Sequence, residues 1–109
     1  MKKYLLGNMK DGWFVGNFSP TCYQTKDCEV ACKHYKKGNI EKPHYHKIAT
    51  ELTLIANGLV KINNIIYGTG DIIVLEPNDI SNFQVLEDTT TVVVKVPSVA
   101  EDKYLGDSL

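Results

Sequence analysis

Turn-forming residues punctuate this chain roughly every ten positions, and the runs between them are short and rich in Val, Ile and Thr. That spacing leaves little room for helices and is what constrains the fold most. Trp13-Phe14-Val15 precedes Gly16-Asn17 and Ser19-Pro20. Cys28 to Tyr35 ends at Lys37-Gly38-Asn39, and Glu51 to Ala56 ends at Asn57-Gly58. Leu59 to Ile62 meets Ile65 to Tyr67 across Asn63-Asn64, a two-residue hairpin turn that works because Asn tolerates positive φ. Ile72 to Leu75 lies between Gly70-Asp71 and Pro77-Asn78-Asp79. Phe83 to Leu86 and Thr90 to Val96 follow, and Pro97 closes the last run. Many short strands at this spacing predict an all-β sandwich or barrel. Val99 to Leu109 is expected to form one short helical turn or a tail.

Composition narrows the function classes. With 109 residues, 43% apolar and 23% charged, the chain reads as one globular domain able to bury a core without staples. The formal net charge is −1 and the basic residues are scattered, which argues against a nucleic-acid surface or a polybasic membrane patch. The apolar run Tyr4 to Leu6 is too short for a secretory signal, and no window approaches a membrane span. An odd set of cysteines, Cys22, Cys28 and Cys32, fits a reducing, cytoplasmic setting. Their spacing matches no zinc module, so they read as small apolar side chains in or near strands.

The chemistry concentrates in His44-Tyr45-His46-Lys47-Ile48-Ala49-Thr50-Glu51. Alternate side chains of a strand share a face, so His44 and His46 point one way and Tyr45 the other. Glu51 opens the next run and shares its face with Thr53 and Ile55. If neighbouring strands deliver His44, His46 and Glu51 into a barrel, two imidazoles and a carboxylate converge as a metal site requires. By spacing alone a solvated, His-rich turn remains an equal alternative.

The wider window, Gly38-x5-His44-x-His46-x4-Glu51-x6-Gly58, resembles the first motif of the cupins, G-x5-H-x-H-x(3,4)-E-x6-G, at every fixed position. The stretch Ala49-Thr50-Glu51 is similar to germins. The resemblance covers about residues 28–97. It implies an all-β, double-stranded β-helix (jelly-roll) barrel, in a single domain spanning 1–109 with N-terminal strands in 4–20 and a tail in 98–109. It also implies one divalent metal ion, Zn, Fe, Mn or Ni, held by His44, His46 and Glu51. The second cupin motif, G-x5-P-x-G-x2-H-x3-N, starts at Gly70 but lacks its histidine. Ungapped counting puts Ser81 there, a one-residue slip puts Asn82 there, and the slip would turn Phe83 and Val85 outward.

In register with germin-like cupins, Ala31, Lys33 and Tyr35 face inward. Lys33, as anion binder or base, and Tyr35, as acid, are then the candidate catalytic residues. His34 faces away, and only the opposite parity would make it a fourth ligand. Lys95, in the run Val92 to Val96, is expected on a solvated face, and Trp13 is equally compatible with a barrel cap or an interface. The alternation Leu52, Leu54, Ala56 against Thr53, Ile55 leaves apolar groups on both faces, which fits a homodimer of the kind small cupins form. The implied partner is a small organic acid or sugar-like ligand, with no nucleic acid and no membrane. Three functions fit: a metal-dependent activity, a non-enzymatic binder or sensor, and a metal-independent sugar-nucleotide epimerase or isomerase using His44 or His46 with Tyr35 or Tyr45.

Overall fold

The computed structural model describes residues 1–106. A single 3-10 turn, Leu6–Asn8, precedes ten strands: β1 (Trp13–Val15), β2 (Glu29–Tyr35), β3 (Ile40–Tyr45), β4 (Thr50–Asn57), β5 (Leu59–Ile62), β6 (Ile65–Gly68), β7 (Ile72–Leu75), β8 (Ser81–Val85), β9 (Thr89–Val96) and β10 (Tyr104–Leu105). They form two antiparallel five-stranded sheets, ordered β1-β2-β9-β4-β7 and β10-β3-β8-β5-β6. This is the double-stranded β-helix that the cupin resemblance implies, and an all-β fold as the turn spacing predicts.

The turns behave as their residues dictate. Asn63 and Asn64 both take positive φ, 49° and 68°, and close the β5–β6 hairpin with Ile62 opposite Ile65. Gly58 sits at φ 125°, and a Cβ there would run into Thr89, so any other residue would push the β4–β5 turn off β9. Two terminal expectations change. Only Trp13–Val15 of the segment 4–20 is strand. Tyr104–Leu105 is a short strand on β3 where a helical turn or tail was expected, with Leu105 opposite His44; residues 107–109 lie outside the described part.

Alternation sorts the barrel interior. Ile55, Val60, Ile62, Ile73, Phe83 and Val85 are buried together, with Tyr35, Tyr67 and Leu75 packed against them. Each such side chain contributes about 1.5–3 kcal/mol by leaving water. Along β4 and β9 the inward residues then turn polar: Ile55 lies opposite Thr91, Thr53 opposite Val93, and Glu51 opposite Lys95. One part of the barrel is therefore packed, and the polar part is left as a pocket on a stiff frame.

Candidate metal centre and its pocket

β3 supplies His44, the first residue after it is His46, and β4 supplies Glu51. His44 and His46 are 7% and 4% exposed, and their rings meet edge to face with centroids 5.5 Å apart. One ligand atom from each of His44, His46 and Glu51 falls within 4.8 Å of the other two. The Nδ1 of His44 lies 3.3 Å from the carbonyl oxygen of Lys42. A carbonyl only accepts, so Nδ1 carries the proton and Nε2 is left with its lone pair free. The Nε2 of His46 is buried and has no hydrogen-bond partner. An orphaned buried imidazole nitrogen costs free energy unless something coordinates it. Burial, then the nearby charges of Lys95 and His44, push the His46 pKa down to about 4, so the ring is neutral at neutral pH. Glu51 stands opposite Lys95 in the ladder, yet no Glu51–Lys95 ion pair within 4 Å forms. Its carboxylate accepts a long hydrogen bond of 3.5 Å from the Thr53 hydroxyl and lies within 4.8 Å of an imidazole nitrogen of each histidine. On these observations the residues fit a divalent ion.

Two features that the sequence reading did not single out shape the site. The first is a β-bulge. Glu41 pairs with Phe83 and His44 with Ser81, so the register shifts between them at Lys42-Pro43, where Pro offers no N–H to the ladder. The shift turns both Glu41 and His44 inward although they are three residues apart. Glu41 then accepts a hydrogen bond of 3.0 Å from the Tyr35 hydroxyl. Burial, and next the Glu41 charge, hold the Tyr35 pKa well above its ordinary value, so this phenol stays protonated. The second is Asp102, 6% exposed, whose carboxylate accepts from the backbone N–H groups of Lys47 (3.1 Å), Ile48 (3.1 Å) and Ala49 (2.9 Å). Burial raises its pKa, and the three N–H donors outweigh that and leave it below the usual range. Asp102 thereby ties down the loop between His46 and Glu51.

The pocket encloses about 210 Å³. Lys33 and Tyr35 both line it, as the germin-like register implies, and burial lowers the Lys33 pKa. His34 is exposed and its ring nitrogen pairs with the Thr90 hydroxyl, so it is not brought to the ligand group. Ser81 is buried, lines the pocket and faces His44 across the ladder, whereas Asn82 is exposed. The ungapped alignment is the one the fold adopts. Cys22, Cys28 and Cys32 are unpaired and half-buried. Lys95 corrects an expectation: it lines the pocket with its ammonium 4.8 Å from the centre of the Trp13 ring, instead of standing in water. The outward residues of β9 are as apolar as the inward ones, which hides the parity in the sequence. Trp13 is likewise a pocket wall.

No protein-family model matches the sequence, and no curated protein matches it. Solved structures do. An uncharacterised conserved protein with a double-stranded β-helix domain from Klebsiella pneumoniae is 22% identical, with TM-score 0.68 over 77% of this chain and 78% of that one. A cupin protein from Bacteroides fragilis is 19% identical, with TM-score 0.59 over 78% and 80%. A Streptomyces protein, PAC13, solved with uridine, is 14% identical, with TM-score 0.70 over 100% and 93%. Identities this low speak for fold alone. Two facing antiparallel sheets, this structural likeness and the inward His-His-Glu group converge on one description: the fold of this chain is that of the cupin superfamily.

Proposed function

We propose that the chain binds one divalent metal ion through His44, His46 and Glu51 and acts on a small organic acid or sugar-like ligand in the same pocket. The observation that carries this reading is the buried Nε2 of His46, left without a partner beside a carboxylate that forgoes the lysine opposite it. An ion held there would supply Lewis-acid or redox chemistry. The chain's own groups do the rest. His44 is oriented by the Lys42 carbonyl, which fixes its tautomer. Tyr35 keeps the proton of its hydroxyl in the hydrogen bond to Glu41, and the pair orients the ligand as a fixed polar wall of the pocket. Lys33 presents a cation to the ligand. The apolar floor, including Ile62, Ile73 and Phe83, limits water around the reacting groups. A metal-independent epimerase would leave both Glu51 and the His46 nitrogen unexplained, and the Tyr35 hydroxyl is engaged with Glu41, not with a histidine. A reducing, cytoplasmic setting accords with the three unpaired cysteines.

The test is the metal content of the purified protein, by elemental mass spectrometry, beside the His46→Ala variant. About one ion per chain is expected in the parent and at least a tenfold loss of occupancy in the variant. A parent that is metal-free and takes up no added Zn, Fe, Mn or Ni overturns the reading.

A further inference from the structure

Lys33 and Lys95 approach the same indole. Their ammonium nitrogens lie 5.2 Å and 4.8 Å from the centre of the Trp13 ring, and both side chains line the cavity that His44, His46 and Glu51 also line. Among the described residues neither ammonium has a carboxylate within 4 Å; the one such ion pair joins Lys36 to Asp88 at the surface. Two like charges held close to one indole, neither in a direct ion pair, make a site for an anion. A second group points the same way. The Thr91 hydroxyl is 1% exposed, belongs to the cavity wall and has no hydrogen-bond partner. It lacks a partner that a ligand oxygen would supply.

Charge decides how much anion the cavity accepts. Three lysines line it, Lys33, Lys95 and Lys103, and so do three carboxylates, Asp11, Glu41 and Glu51. The wall alone is formally neutral, and a divalent ion at the histidines leaves a surplus of two positive charges. We infer that the pocket selects a small carboxylate, its anionic end on the ammonium groups of Lys33 and Lys95 beside Trp13, and a second oxygen function directed to the Thr91 hydroxyl and the His44-His46-Glu51 group. This deepens the proposed function and rests on its metal for the full charge surplus. The 210 Å³ of space suits a few-carbon acid or a single sugar acid.

Trp13 is the chain's sole tryptophan, so its fluorescence reports the site directly. The experiment titrates malonate, pyruvate and glucuronate into the zinc-loaded and the metal-free protein, with glucose, uridine and inorganic phosphate as comparisons. Binding is followed by Trp13 fluorescence and calorimetry. At least one carboxylate is expected to bind more tightly than every comparison compound. Its affinity should fall about tenfold in Lys33→Met and in Lys95→Met, each of which keeps the aliphatic stem, and should weaken as salt rises. Zinc should strengthen it. Circular dichroism and melting establish that each variant is folded, and the salt dependence of the parent stands on its own if one is not. Equal affinity in both folded variants overturns the inference, as does binding of glucose, uridine or phosphate at least as tight as any carboxylate, or binding indifferent to salt. Metal content is read separately. A protein that takes up no metal but loses malonate in Lys95→Met sinks the metal reading and keeps the anion site.

Discussion

At His46, burial and neighbouring positive charge act in one direction, and the ring loses its proton readily. This gives a pH dependence whose sign is fixed. The folded value of about 4 lies below the ordinary 6.5, so between those limits the unfolded chain takes up the proton first. Stability is complete above about 6.5 and declines as pH falls toward 4. Melting temperatures of metal-free protein across that window should fall more steeply than those of the His46→Asn variant; parallel curves would contradict the assignment. A metal ion shifts the balance further, because only the neutral imidazole ligates. The three ligand candidates were legible from spacing and from the cupin-like motif, since short-range parity places them. Lys95 was not, because an apolar strand with both faces buried or half-buried gives no contrast from which to read its parity.

At the scale of the element, β3 shows where parity fails. Counting by twos from His44 puts Glu41 outside; the bulge at Lys42-Pro43 resets the count and brings it in beside Tyr35. A proline within a strand flags such a place, but which way the register moves depends on β8. The loop after β3 depends equally on a distant partner. It has no regular hydrogen bonding of its own over Lys47–Ala49, and Asp102 provides it from across the chain. No local signal in the sequence links them. Replacing Asp102 with Ala should strand three N–H groups and cost about 2 kcal/mol, on the order of 10 °C in melting temperature. It should also weaken metal binding by at least about tenfold, as losing the support behind a ligand does. Calorimetry of zinc binding and a thermal melt check the two effects, and an unchanged zinc affinity would reduce Asp102 to a purely structural tie.

At the scale of the whole molecule the two sheets differ on their outer faces. The β10-β3-β8-β5-β6 sheet has a mixed outer face, where Lys42, Asn82 and Gln84, all exposed, stand among Ile40 and Ile66, 66% and 59% exposed. The other sheet presents Leu52, Leu54, Val92 and Val94, half-buried, together with Ile72 and Val74, 64% and 52% exposed. A sheet apolar on both faces is ordinarily covered on both. We propose that a second copy covers it, since an uncharged face can pair with itself about a two-fold axis. Light scattering should give twice the chain mass for the parent and a monomer for Val74→Glu; a monomeric parent would dismiss the pairing. Asp102 also has a bearing on biosynthesis. It lies 53 residues beyond Ala49, so a ribosome adding about 5–20 residues per second needs roughly 3–10 s to deliver it after the histidines have emerged. During that interval the nascent loop is unclasped, and its imidazoles are open to any cation nearby. Selective loading of the site therefore belongs after release of residue 102, when the carboxylate has drawn the loop shut.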